Sequence, residues 1–191
     1  METNYCASRR ALLRSGCGLI AVSAFGGGGQ MPKKLDPDAP VKGDTFVFGD
    51  GPNKGNDVYL KDISVAGHPV AAQAMDPATG KLRESEHSSV LFLRVAPESV
   101  PEDVKEEAAQ GVMAYSAVCT HLGCVLTDWV EEKKLFQCPC HGATFSPMQG
   151  GKWAGDGPKS RTLPILPLAI AADGRVVVAD VFSAAVGPQK G

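Results

Sequence analysis

The sequence predicts an all-β domain made of hairpins. Short runs rich in Val, Ile, Leu and Phe recur between residues 45 and 181, and segments dense in Gly, Asp, Asn and Pro separate them. With 191 residues, 43% of them hydrophobic, the chain is long enough for one domain with its own core. The predicted strands are residues 45–48, 58–60, 90–95, 112–118, 125–130, 134–137, 165–171 and 175–181.

One segment interrupts this strand pattern with the signals of a short helix. Ser99 is a candidate N-cap, Pro101 stands in the first turn, and Glu102 lies three residues after the cap, where it completes a capping box. Gly111 is a stop signal after Gln110. We therefore expect one short helix that leads into the strand beginning at Val112.

Two cysteine- and histidine-rich motifs follow that strand. The first reads Cys-Thr-His-Leu-Gly-Cys at residues 119–124, and the second, after thirteen residues, reads Cys-Pro-Cys-His-Gly at residues 138–142. Each motif offers one thiolate and one imidazole: Cys119 with His121, and Cys138 with His141. Four such ligands also suit a structural zinc ion, so zinc is the first alternative.

Two observations weigh against zinc. In structural zinc sites, two ligands from the same short stretch of chain usually have at least two residues between them. A Cys-x-His pair fits that spacing poorly. The motifs also contain Cys124 and Cys140, which a zinc site would not need. A two-iron cluster accounts for all six side chains, because two cysteines can bind one iron, two histidines the other, and the remaining pair can cross-link the motifs.

In these two motifs the chain resembles the Rieske proteins. The resemblance implies a Rieske-type antiparallel β-sandwich with a cluster-binding subdomain of two loops, and one [2Fe-2S] cluster per chain. It assigns Cys119 and Cys138 to the inner iron, and His121 and His141 to the outer iron. Because two neutral imidazoles replace two anionic thiolates, such a cluster has a higher reduction potential than an all-cysteine cluster.

The resemblance further implies a disulfide between Cys124 and Cys140, which would tie the two motifs together. In quinol-oxidising relatives the exposed imidazoles take up a proton together with the electron, which makes His121 and His141 candidates for proton-coupled electron transfer. Electron transfer without a proton is the alternative. We expect no catalysis by the isolated chain, because the bond chemistry would belong to a partner or to a shared interface.

Five further residues are expected around the cluster. The resemblance places Leu122 over the cluster as an apolar surface for a partner, and Gly157 with Pro158 in a third loop that covers the other side. High-potential family members have a Ser and a Tyr where this chain has Ala143 and Phe145. Neither residue here has a hydroxyl group to stabilise the reduced cluster, so we expect a potential in the lower half of the Rieske range.

The first thirty residues differ in composition from the rest. Arg9 and Arg10 precede a mildly apolar run, which resembles a twin-arginine export signal or a weak membrane anchor. We expect residues 31–43 to form a flexible tether, residues 44–183 the Rieske domain, and residues 184–191 a tail. Export would place the protein in the periplasm or on the outer face of the cytoplasmic membrane, where a disulfide can form.

Three parent systems are compatible with this sequence. A quinol:cytochrome c reductase of the cytochrome bc type is favoured by Leu122 in the first motif, by the extra cysteine pair and by the tether. Its partners would be cytochrome b and cytochrome c, and quinol is a candidate ligand. The alternative is the small subunit of an arsenite-oxidase-like molybdenum enzyme with a molybdopterin partner, a group that shares Phe at the position of Phe145. A soluble Rieske ferredoxin for an oxygenase has less support. The net charge of −2 and the lack of a basic stripe argue against a nucleic-acid partner.

Overall fold

The computed structural model describes residues 39–188, which belong to one compact unit. The expected leader and most of the expected tether lie outside the described residues. Eleven short strands make up the regular structure of the described part. They are β1 (Thr45–Phe48), β2 (Val70–Asp76), β3 (Lys81–Leu82), β4 (Ser89–Arg94), β5 (Val112–Ser116), β6 (Asp128–Val130), β7 (Leu135–Gln137), β8 (Thr144–Ser146), β9 (Lys152–Trp153), β10 (Leu168–Ile170) and β11 (Val176–Val178).

The strands form two antiparallel sheets, as the sequence predicted. The larger sheet has seven strands in the order β10-β11-β1-β2-β4-β5, with β3 paired to β2. The smaller sheet has four strands in the order β6-β7-β8-β9. Among the described residues no helix is long and apolar enough to cross a bilayer.

Strands β4 and β5 are buried on both faces, and so they connect two hydrophobic cores. Successive side chains of a strand point to opposite faces. Val90 and Phe92 accordingly enter the core inside the larger sheet, whereas Leu91 and Leu93 enter a second core shared with the smaller sheet. The same alternation operates in β5. The base of the small sheet is therefore continuous with the core of the domain.

The larger sheet closes on itself, because its edge strand β5 is hydrogen-bonded to the segment that precedes the other edge strand, β10. The amide of Leu166 donates to the carbonyl of Ala114 at 3.0 Å, and the amide of Ser116 donates to the carbonyl of Pro164 at 2.9 Å. Inside, the rings of Phe46 and Phe92 meet edge to face with their centroids 4.9 Å apart. This closure places the end of β5 beside the segment that precedes β10.

The prediction of a helix beginning at Ser99 is wrong. In its place lie two 3-10 turns, Pro97–Ser99 and Glu102–Val104, and the described residues contain no α-helix. Pro101 explains the difference, because a proline disfavours the helical conformation in the residue before it, and Val100 is indeed extended with ψ 127°. Val100 and Val104 are instead buried against the second core.

Strand boundaries differ from the predictions in two informative places. Residues 58–60 form no strand; Tyr59 makes a single bridge to Arg175, and a 3-10 turn follows at Leu60–Asp62. Conversely, β2 lies in a segment, Val70–Asp76, with three alanines and no strong strand signal. This strand forms because β1 and β4 pair with both of its edges.

Candidate metal centre

The two motifs form two loops with the same backbone turn. In the first loop (residues 119–124), the amide of Cys119 donates to the carbonyl of Cys124 at 2.8 Å, and the amide of Gly123 donates to the carbonyl of Cys119 at 3.0 Å. The second loop (residues 138–142) repeats this pattern with Cys138, Ala143 and Gly142, each bond measuring 2.9 Å. Two loops of unlike sequence therefore present their side chains from equivalent backbones.

A glycine with positive φ closes each turn. Gly123 has φ 87° and Gly142 has φ 70°, a region that residues with a Cβ rarely adopt. The first loop joins β5 to β6, and the second joins β7 to β8. Both loops thus emerge from paired strands, which hold their ends in position.

The first cysteine of each loop lies inside the protein. Cys119 and Cys138 are free thiols with exposures of 0% and 1%, and their side chains lie close enough to interact with each other. Burial raises the pKa of the Cys119 thiol to about 11, so this thiol is neutral at pH 7 when no metal is bound. A metal ion would displace its proton on binding.

The two imidazoles lie next to each other near the surface. The ring centroids of His121 and His141 are 5.0 Å apart, and the rings are almost perpendicular. His141 is exposed and His121 is partly buried. Leu122, between the histidine and the glycine of the first loop, is 62% exposed and offers an apolar surface beside the rings.

The remaining two cysteines, Cys124 and Cys140, form a disulfide that joins the loops, with a Cα–Cα distance of 6.6 Å. The sulfur atoms of Cys124, Cys138 and Cys140 lie within 4.8 Å of one another. These three do not form a metal site, because two of the sulfurs are bonded to each other. Among the described cysteines, those with a thiol available to a metal are therefore Cys119 and Cys138.

A third segment, residues 157–161, lies against the second loop. A Cβ atom at Gly157 would lie 2.4 Å from the amide nitrogen of Ala143 and 2.4 Å from the carbonyl carbon of Gly142. Gly157 also has φ 67°. The chain therefore passes the second loop at backbone contact, and Pro158 follows, half-buried. In the sequence, Gly157-Pro158 has only the local signature of a turn.

The first loop is fastened to the same third segment by a contact that the sequence did not indicate. The hydroxyl of Thr120 donates to the carbonyl of Arg161 at 2.6 Å, and Thr120 is only 5% exposed. Thr120 stands between Cys119 and His121. Because a backbone carbonyl is the acceptor, no side-chain pattern around Arg161 predicts this bond.

Ala143 and Phe145 are both fully buried. Ala143 closes the second turn through its carbonyl, and Phe145 lies in β8 opposite Phe136 of β7. Their hydrocarbon side chains offer no hydrogen-bond donor to the neighbouring sulfur atoms.

The residues present fit a mixed thiolate and imidazole site. Two buried thiols lie close enough to interact with each other, and two imidazoles lie side by side nearer the surface. An iron pair with sulfur ligands at one metal and nitrogen ligands at the other needs this segregated donor set. In a single tetrahedral zinc site, by contrast, the four donors would surround one point.

We expect the disulfide to contribute about 3 kcal/mol to the free energy of unfolding, the value for a closed loop of about 15 residues. Its cysteines are 16 residues apart. Replacing both Cys124 and Cys140 with Ala should lower the urea midpoint accordingly, measured by circular dichroism. The wild type in dithiothreitol is the control, and its urea midpoint should fall by a similar amount. A change in the midpoint of the double variant when dithiothreitol is added would contradict the prediction.

Residues 67–167 match the family model of the Rieske [2Fe-2S] domain. A Haloferax mediterranei protein named as a respiratory nitrate reductase Rieske subunit is 34% identical over 164 residues, which cover 78% of this chain and 70% of that protein. The cytochrome b6-f complex iron-sulfur subunit 1 of Synechocystis is 32% identical, covering 85% of this chain and 77% of that protein.

A third relative extends the range of parent complexes. The cytochrome bc1 complex Rieske iron-sulfur subunit of Streptomyces lividans is 29% identical over 102 residues, which cover 53% of this chain. The chain spans 59% of the length of that protein. The similar proteins thus carry the names of more than one respiratory complex.

Proposed function

The chain belongs to the Rieske [2Fe-2S] domain family, and we propose that Cys119, His121, Cys138 and His141 hold its cluster in an electron-transfer subunit of a respiratory oxidoreductase. The observation that carries this proposal is the segregation of donors, with two adjoining buried thiols and two adjoining imidazoles near the surface. Such a cluster exchanges one electron at a time, with potentials of roughly −150 to +300 mV in this family.

The surroundings of these four residues explain how the chain would serve electron transfer. Burial of Cys119 and Cys138 keeps water away from the sulfur ligands, and the disulfide holds the two loops together. The exposed ring of His141 and the exposed side chain of Leu122 give a partner direct access to the nitrogen side of the site. An imidazole nitrogen that is not bound to metal can also exchange a proton there, which supports His121 and His141 as proton-coupled groups.

The experiment that tests this proposal is metal analysis of the purified full chain together with electron paramagnetic resonance. We expect two iron atoms and no zinc per chain, and a signal that appears after reduction with dithionite. A colourless protein that contains zinc, or a reduced sample without a signal, would refute the proposal.

As the parent system we propose a quinol:cytochrome c reductase of the cytochrome bc type. The similar subunits named for cytochrome bc1 and b6-f complexes support this choice. A molybdenum oxidoreductase is the second candidate, because the buried Phe145 replaces the hydroxyl-bearing residue of high-potential members. Affinity purification of the tagged chain from native membranes separates them: haem b in the eluate supports the first, and molybdenum without haem b supports the second.

We also propose that residues 1–30 direct export by the twin-arginine route, so that the domain acts outside the cytoplasm. This proposal rests on Arg9, Arg10 and the apolar run after them. Replacing both arginines with Lys should leave the protein in the cytoplasmic fraction. An unchanged distribution on cell fractionation would argue against the route.

The reduction potential should rise when hydroxyl groups are introduced beside the second loop. Ala143→Ser and Phe145→Tyr each add a donor, and a hydrogen bond to a charged acceptor contributes about 1.5–3 kcal/mol. Both redox states accept this bond, but the more negative reduced state accepts it more strongly. We therefore expect the reduction potential to rise by about 50 mV per variant, because a tenfold change in the equilibrium constant for one-electron reduction corresponds to about 59 mV.

A redox titration with mediators measures this change. Ala154→Ser is the matched control, because Ala154 belongs to the same small subdomain but is exposed. Equal potentials for Ala143→Ser, Ala154→Ser and the wild type would show that the hydroxyl group does not reach the site.

A further inference from the structure

Arg161 connects three segments around the first loop. Its backbone carbonyl accepts the hydrogen bond from Thr120. Its guanidinium group donates from Nη2 to the carbonyl of Gly187 at 2.6 Å and, at 3.4 Å, to the carbonyl of Ala185. One residue of the third segment thus contacts both the first loop and the carboxyl-terminal end of the described chain.

That end forms a strap, residues 183–188, which lies against the first loop. Ser183 starts the strap with two bonds to Ile165: its amide donates to the Ile165 carbonyl at 2.8 Å, and its hydroxyl accepts from the Ile165 amide at 2.9 Å. Further along, a Cβ atom at Gly123 would lie 3.4 Å from Cδ of Pro188. The strap therefore packs on the glycine that closes the first turn.

Between these two contacts, the guanidinium group of Arg161 bonds to the strap, and Val186 packs against the core of the larger sheet. The carbonyl of Gly187 accepts the shorter of the two bonds from Arg161. Gly187 also lies beside Val118, directly before the first loop, because a Cβ added to Gly187 would be 3.5 Å from Cγ1 of Val118. Without this bond the strap would keep its Ser183 anchor and the packing of Val186, but it would be held less firmly next to Val118 and Gly123. The first loop would then lose packing on its outer side.

The charge of Arg161 is not neutralised by these contacts. Its partners are carbonyl oxygens, its Nε is buried without a hydrogen-bond partner, and no carboxylate of the described residues forms an ion pair with it. A guanidinium group keeps its positive charge in proteins. A partly buried positive charge is screened less than an exposed one and stabilises the more negative of two neighbouring redox states.

We propose that Arg161 is a positioning residue for the first loop, that it holds the strap in place, and that its unneutralised charge favours the reduced state of the site. This inference rests on the proposed function, because it assigns a second role around the same cluster. It makes a distinct claim, since neither the ligand set nor the disulfide involves Arg161.

The test is a redox titration of the full-length, iron-loaded protein and three variants. Arg161→Gln should lower the equilibrium constant for one-electron reduction about threefold to tenfold, which is a shift of about 30 to 60 mV to lower potential. Arg161→Lys keeps the charge and should stay within about twofold of the wild type. A chain that ends after Ser183 removes the carbonyl partners, exposes the guanidinium group to water and should shift in the same direction as Arg161→Gln.

Arg175→Gln is the matched control, because it removes the same charge from the exposed turn between β10 and β11. There Nε of Arg175 donates to Asp173 at 2.7 Å, and the charge is already compensated. Its potential should equal that of the wild type. Carboxypeptidase digestion gives a second readout, since the strap should be trimmed faster in Arg161→Gln than in Arg175→Gln.

Two results would overturn the role of Arg161: the same potential in Arg161→Gln and Arg175→Gln, or a shift in Arg161→Lys as large as in Arg161→Gln. If Arg161→Gln binds no iron, the chain that ends after Ser183 decides, and an unchanged potential in that chain overturns the proposal. A wild-type protein without iron would instead refute the proposed function, so the two failures are distinguishable.

Discussion

Cys119→Ser is expected to abolish cluster binding, with at least a tenfold loss of iron per chain and no paramagnetic signal after reduction. Cys119 is completely buried, and its thiol interacts with the other buried free thiol, that of Cys138. A serine hydroxyl is a harder and far less acidic ligand than a thiol, so it cannot replace the thiolate at this position. Iron analysis of the purified variant and its visible absorbance measure the loss.

Thr120→Ser provides the matched control for this variant. It changes the neighbouring residue of the same loop but keeps the hydroxyl group that donates to the carbonyl of Arg161. We expect this control to bind iron like the wild type. Iron binding by Cys119→Ser at the wild-type level would show that Cys119 is not a required ligand. An equal loss of iron in Thr120→Ser would show that the first loop is sensitive to any substitution rather than to the loss of a ligand.

The chemistry of the site could be predicted from the sequence because it is encoded locally. Each motif places its candidate ligands within four residues, so residue type and spacing are enough to propose the donors. Strands β4 and β5 were predictable for the same reason, because they are runs of mostly buried apolar residues, whereas the short β8 directly after the second motif was not predicted. The all-β class followed from such runs and from the turns between them.

The features that could not be predicted depend on contacts between distant segments. β2 owes its formation to its two neighbouring strands, since its alanines carry little strand preference. At Ser99 the local capping signal was strong, but Pro101 and the burial of Val104 favoured 3-10 turns over a helix. The link from Arg161 to the strap spans more than twenty residues and uses backbone acceptors.

Gly157→Ala is expected to destabilise the protein and to reduce its iron content, by a mechanism unrelated to the ligands. The new methyl group would lie 2.4 Å from backbone atoms of both Gly142 and Ala143, where no side chain can move aside. The positive φ of 67° adds strain for any residue with a Cβ. Overpacking and backbone strain each cost about 1–3 kcal/mol, so we expect a loss of about 3 kcal/mol in the free energy of unfolding.

Gly155→Ala separates the two causes of this loss. Gly155 also has a positive φ, 104°, but an added Cβ there would have no atom within 4 Å. This control should therefore lose only the strain contribution, about 1 kcal/mol, and should keep its iron. Urea denaturation and iron analysis of both variants provide the comparison. If the two alanine variants lost equal stability and iron, backbone strain alone would explain the effect, and the third segment would not support the second loop by direct contact.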